Sequence, residues 1–201
     1  ALKAKLLTLP TNDYLAQLEP VLDGPNFQKA QDNLAASIGK RHEKYFLEIY
    51  HSLHGKNTDS REAKDFASRR LKNLALYFLS FAPQHHELVF EQFKKAQIMT
   101  DEMAAFAILV DLESNYREQA ISLFYEKWNY DSLVMNKWFS VQAMSTHKNT
   151  LKAVAELLKH KDFNIKNPNR VYALLRTFGN NFSRFHDPAF DTYHFMADQV
   201  I

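Results

Sequence analysis

Apolar residues recur at intervals of three, four and seven along almost the whole chain, and no segment alternates with period two for long enough to make a strand. That periodicity confines the chain to helices. The turn-formers agree, since 4 Gly and 6 Pro in 201 residues leave little material for hairpins. Phe27, Ala30, Leu34, Ile38, Tyr45, Ile49 and Leu53 share one stripe. Pro25 lies in its first turn and Gly55 beyond its end, so the spacing predicts one long helix there. Asp59 with Glu62 reads as a capping box, opening a second helix with Ala67, Leu71, Leu74, Phe78 and Ala82 inward. A shorter helix follows Pro83 and turns Val89, Phe90 and Phe93 inward.

From Thr100 the helices shorten. Thr100 reads as an N-cap, and Asp101 and Glu102 suit the positive end of the helix dipole. Met103 to Leu112 is apolar on nearly every side, which predicts burial on every side. Further helices carry Ala120, Ile121, Phe124 and Trp128, then Val134, Met135, Trp138 and Phe139, then Leu151, Val154 and Leu158. Asn167-Pro168 opens another with Val171, Leu174, Leu175 and Phe178, and a last one starts near Asp187-Pro188. The expected fold is all-α, with antiparallel helix pairs stacked as an α-solenoid of the armadillo or HEAT kind and no sheet. Pairs of roughly 30–45 residues are the unit size of such stacks. We expect a single helical domain over residues 1–201, cut from a longer chain, because "ALKAKLLTLP" lacks an initiator Met and "YHFMADQVI" ends uncapped. Phe195, Met196, Val200 and Ile201 would then lie at a cut end.

Charge excludes some partners. The net charge is +2, with 14 basic and 11 acidic residues in positions 1–100 and 11 and 12 in positions 101–201, so neither half is a basic arm for nucleic acid. The basic stretches at 68–73 and 159–170 read as solvated face and loop. With no Cys there is no disulfide, thiolate nucleophile or Cys-ligated zinc, which fits a reducing compartment and a cytoplasmic location. The longest apolar run, 103–110, is far short of the roughly 20 residues a membrane span needs.

Two stretches echo the zinc protease motif H-E-x-x-H, "HEKYF" at 42–46 and "HELVF" at 86–90. In that motif two histidines one turn apart aim at a single metal, with the glutamate as base. Here the second histidine is replaced by Phe46 and Phe90, which cannot ligate zinc. Both echoes read as helical patterning. His51 and His54 are three apart near a helix end, where a cation meets the negative end of the dipole, and the adjacent His85 and His86 diverge. His147, His160, His186 and His194 complete the set. Asp101, Glu102, Asp111 and Glu113 read as capping or solvated carboxylates. There is no G-x-S-x-G elbow and no Gly-rich phosphate loop. The residues provide no catalytic apparatus and no metal site.

Several blocks are more specific. "IMTDEMAAFAIL" (98–109), "YEKWNYDSLVMNKWFSVQA" (125–143) and "NIKNPNRVYALLRTFGNNFSRFHD" (164–187) resemble, in order and spacing, the C-terminal helical domain of bacterial-type aminopeptidase N. "LLTLPTNDYLAQL" (6–18) and "SRRLKNLALYFLSF" (68–81) agree more loosely. The resemblance implies a non-catalytic domain of a zinc-dependent alanyl aminopeptidase of the gluzincin family. Such an enzyme removes N-terminal residues from peptides, and its zinc lies in an upstream catalytic domain. The helical domain would close over that domain of the same polypeptide and restrict peptide access. No cofactor is implied for this segment itself. After Phe185-His186 the family has an acidic-Gly-x-Gly-Tyr loop where this chain has "DPAFDTY", so that loop is expected to follow a different path.

Most residues of these blocks also have plain structural readings: Trp128 and Trp138 as core, Asn167-Pro168 as a helix start. Arg170, read as exposed beside a cap, is the one candidate for contacting another domain or a peptide carboxylate in the substrate chamber. The alternatives are a free-standing α-solenoid binding a peptide or protein in its groove, and nucleic-acid binding by the basic loops.

Overall fold

The computed structural model describes residues 2–18, 23–55 and 62–199, and among these there are helices, turns and no strand. The fold is all-α. The helices pack into two compact units, Ala1–Pro10 with Ala30–Leu109, and Thr11–Lys29 with Val110–Ile201.

The first unit holds α1 (Leu2–Leu7), α4 (Glu43–Leu53), α5 (Ala63–Leu79) and α6 (His86–Lys95), with most of α3 (Gly24–Arg41) and α7 (Met99–Asp111). The expected long helix over 25–53 is thus two helices, broken at His42 (φ −117°, ψ 22°). Its buried face is also displaced by one residue. Ala35, Gly39, Phe46 and Tyr50 are buried, while Ala30, Leu34 and Tyr45 are exposed. Close approach decides this. A Cβ on Gly39 would lie 2.3 Å from the Phe78 carbonyl oxygen of α5, so only the small-residue face can meet that backbone. Phe46 then stacks on Phe78 at 4.9 Å. Gly39→Ala is accordingly expected to destabilise the chain by about 1–3 kcal/mol, the cost of overpacking. A thermal melt checks this, and an unchanged midpoint would mean the helices are not held this close.

Helix α5 also departs from its pattern. Ala67, Leu71 and Leu74 are half-buried, Ala82 lies beyond the helix end, and the buried set includes Arg69 and Lys72. The basic run 68–73 is therefore not a solvated face throughout. The expected cap Asp59 lies outside the described residues, and Glu62 makes no side-chain cap bond. Pro83 opens a 3₁₀ turn (Pro83–His85) leading into α6, which buries Val89, Phe90 and Phe93 as its period predicts. Helix α7 starts at Met99, where the Ile98 carbonyl accepts from Asp101 N and Glu102 N, so Thr100 sits inside the first turn and is not the cap. Ala107 on α7 is exposed, which limits the all-round burial expected there.

The second unit holds α2 (Asn12–Ala16), α8 (Asn115–Trp128), α9 (Ser132–Ala143) and α10 (Thr150–Leu157). Asp131 caps α9 by accepting from Leu133 N and Val134 N. Asn167 caps α11 (Pro168–Val171), which continues through a π turn (Tyr172–Arg176) into α12 (Thr177–Gly179). A π turn loosens the ladder, and hydroxyls meet two of its carbonyls. Ser140 Oγ donates to Ala173 O (2.9 Å) and Thr177 Oγ1 to Tyr172 O (3.0 Å). The expected helix from Asp187-Pro188 is replaced by α13 (Phe182–Phe185), a turn, and α14 (Thr192–Ala197). On α14 Phe195 and Met196 are half-buried, Phe195 edge-on to Phe178 at 6.2 Å, whereas Val200 and Ile201 lie outside the described residues. The core is Phe124, Met135, Trp138, Phe139, Val154, Leu174 and Phe178, all expected from spacing.

Candidate functional site

The two zinc-motif echoes meet in space, but not as a metal site. Glu43 of the first accepts from His85 beside the second, at 2.7 Å, and also from Gln84 at 3.3 Å. These hydrogen bonds hold the Glu43 carboxyl below its usual range. His42 is exposed, and His86 bonds the Ser80 carbonyl (3.0 Å). Phe46 and Phe90, at the positions a second ligand would need, are buried in the core. The donor set does not fit zinc: each candidate histidine is one turn from a phenyl ring instead of a second imidazole. Among the described residues no three His, Asp or Glu side chains converge in metal-binding geometry.

The residues that carry the family resemblance bond to one another. Arg170 is buried, not exposed as its sequence position suggested. Its Nη1 donates to Asn136 Oδ1 at 2.8 Å and its guanidinium lies 5.0 Å from the Phe139 ring centroid. Asn167 accepts from Arg170 N, so the same cap that starts α11 places this side chain against α9. Trp138 is 4% exposed, donates Nε1–H to Ile121 O at 3.0 Å, and packs 5.2 Å from His160. Tyr125 closes that cluster, donating to Asp162 Oδ2 at 2.6 Å. These groups are occupied in holding α8, α9 and α11 together.

Asp101 and Glu102 are buried, contrary to their reading as capping or solvated carboxylates. Asp101 pairs with Lys72 Nζ at 2.5 Å and accepts from Asn73 Nδ2 at 3.0 Å. Sequence reasoning missed this pair. Its signal was Lys72 itself, a lysine set among the apolar positions of α5. Asp111 and Glu113 are exposed as expected, Asp111 accepting from Thr146 N (2.9 Å) and Glu113 from Lys148 (2.9 Å).

Burial is the main cause lowering His86, His147, His160 and His186 from the ordinary histidine value. The folded state therefore holds these rings neutral more firmly than the unfolded chain does. Stability is fully present above the unfolded pKa of about 6.5 and is lost as pH falls below it, because the unfolded state then binds the extra protons. Urea midpoints should fall from pH 7 to pH 5, and a flat profile would mean that these rings are solvated. His194, raised by Asp191, works in the opposite sense but is exposed.

The second unit also carries a cleft of about 650 Å³ whose lining includes Asn12, Thr146, Asn180, Asn181, Ser183 and His186. These side chains are uncharged but for protonation of His186, whose Nδ1 lies 2.6 Å from Tyr193 OH. Such a lining suits hydrogen bonding to a neutral backbone, not ion pairing. No membrane-spanning helix occurs among the described residues.

A family model described as "Domain of unknown function (DUF3458_C) ARM repeats" matches residues 1–201. The chain is 33% identical over 204 residues to an aminopeptidase N of Escherichia coli, covering 100% of this chain and 23% of that protein. It is 33% identical over 208 residues to an aminopeptidase N of Caulobacter vibrioides, covering 100% of this chain and 24% of that one. In structure it is similar to Legionella pneumophila aminopeptidase A, crystallised with aspartic acid, with a TM-score of 0.85 and 26% identity over 98% of this chain and 24% of that one. The chain thus spans about a quarter of the length of these relatives and matches their C-terminal part.

Proposed function

The chain belongs to the family described as DUF3458_C, ARM repeats, and on that footing we propose that it is the non-catalytic C-terminal helical domain of a zinc metallo-aminopeptidase. In this reading the domain closes over a catalytic domain of the same polypeptide and limits which peptides enter. That catalytic domain supplies the zinc and the glutamate that removes N-terminal residues. The observation that supports the reading is similarity along the whole chain to the C-terminal part of aminopeptidase N. The uncharged cleft around Asn180 is the surface we assign to peptide backbone. Arg170 enters as a residue that shapes the α9–α11 wall. A cytoplasmic location belongs to the same proposal. No observation favours a free-standing solenoid.

The test begins upstream. The coding sequence before Ala1 should specify H-E-x-x-H followed by a further glutamate, and its absence would sink the proposal. The 201-residue chain alone should hydrolyse no alanine anilide, whereas the polypeptide carrying the upstream motif should. Activity in the short chain, or none in the long one, would overturn the division of labour.

A further inference from the structure

Helix α10 packs on α9 and buries Thr150, Val154 and Leu157. Its N-cap side chain, Asn149, makes no cap bond. A histidine ring stands at each end instead. Asn149 N donates to His147 Nδ1 at 3.1 Å just before the helix, and Asp162 N donates to His160 Nδ1 at 3.2 Å just after it. A main-chain N–H can only donate, so each Nδ1 must offer a lone pair and the ring proton must sit on Nε2. Among the described residues these are the histidine rings that accept from a main-chain N–H. His86 faces the Ser80 carbonyl and His194 the Asp191 carboxylate, so both rings donate there and keep their bonds when protonated.

The surroundings of both rings oppose a second proton, and burial is the largest cause lowering each from the ordinary histidine value. His147 is buried and faces Arg117, Lys148 and Arg184, with one carboxylate, Glu113, 3.3 Å from Nε2. Glu113 is exposed and already paired with Lys148, so it adds little to a new charge. His160 is half-buried among the Tyr125, Trp138 and Phe139 rings. Lys161 and Arg170 disfavour its proton and Asp162 favours it. Asp162 lies 3.9 Å from Nδ1 and already accepts from Tyr125 OH.

We propose that His147 and His160 form a pH-sensitive clamp that holds both ends of α10. While the rings are neutral both turns stay closed. Protonating Nδ1 replaces an acceptor by a donor that faces the N–H it held, so both turns open and α10 leaves α9 before the other helices unfold. Docking of α10 is fully stabilised above about pH 6.5, where unfolded histidines are neutral too, and weakens below it. The clamp lies within this chain, so the proposal stands apart from the aminopeptidase reading.

Amide hydrogen exchange of the 201-residue chain, followed by NMR from pH 7.5 to pH 5 and corrected for intrinsic rates, tests this. Amides of Val154 to Leu157 should lose about tenfold in protection for each ring protonated, as expected for one lost hydrogen bond apiece, while α6 and α8 lose far less. Ring nitrogen shifts at pH 7.5 should show both Nδ1 atoms unprotonated, and a proton on either would overturn the proposal without any substitution. In His147→Asn/His160→Asn the side-chain oxygens still accept from the N–H two residues on, as asparagine does in turns, but do not titrate. Protection of α10 in that variant should be the same at pH 7.5 and pH 5, whatever its overall stability. Acid loosening of α10 that persists in the variant would overturn the proposal. Equal loss of protection in α6, α8 and α10 would overturn it too, since that marks global unfolding.

Discussion

Lys72→Met should lower the stability of the chain by about 3–5 kcal/mol, among the largest losses a single substitution here can cause. Lys72 and Asp101 form an ion pair with both side chains buried, at 2.5 Å. Taking two charges out of water is expensive, and their attraction roughly offsets that expense. The pair as a whole therefore contributes little, but removing one partner leaves a buried carboxylate that, among the described residues, Asn73 and the helix start still serve. For a chain of this length the loss is on the order of 10 °C in Tm. The double variant Lys72→Met/Asp101→Leu removes both charges and should recover most of it. A single variant melting within a degree or two of the parent would show that water reaches Asp101. A double variant no better than the single one would assign the loss to packing.

Trp138→Ala should cost a similar amount, about 3–5 kcal/mol, by a different route. The indole is 4% exposed and wedged among Tyr125, Phe139 and His160 at 5.0–5.3 Å between ring centroids. Deleting it opens a cavity under α8, α9 and the His160 segment, and the aromatic neighbours cannot collapse fully into the space. Trp138→Phe keeps most of the contact and loses the hydrogen bond to Ile121 O, so it should cost only about 1 kcal/mol. The contrast between the two variants is the measurement. Equal melting temperatures for Phe and Ala would mean that the ring's volume does not hold α9 in place.

The two variants also mark where sequence reasoning succeeds. Trp138, with Val134, Met135 and Phe139, follows the helical period, and that period alone placed all four in the core. Asn167-Pro168 likewise announces α11, because the cap oxygen and the missing proline N–H satisfy groups only a few residues away. Lys72 and Arg170 are different. The partner of Lys72 lies 29 residues on, and that of Arg170 lies 34 residues back. Nothing in their local spacing names those partners. A lone basic residue on a helix is more often solvated than buried, so local reasoning put both outside.

The kind of structure is written in the residues themselves: helices, limits such as those at Pro25 and at Asn167-Pro168, and phenyl rings where the zinc-motif echoes would need histidines. These follow from interactions within a turn or two of chain. Which face of α3, α4 and α5 goes inward, and which polar groups go with it, was settled by packing between helices. Gly39 shows the reason: Leu34 and Ile38 are the more apolar face of α3, yet the close approach of the Phe78 backbone selects Ala35 and Gly39. Burial rewards apolar area in proportion, but overlap of atoms is forbidden outright, so the neighbouring helix, not hydrophobicity, set the register.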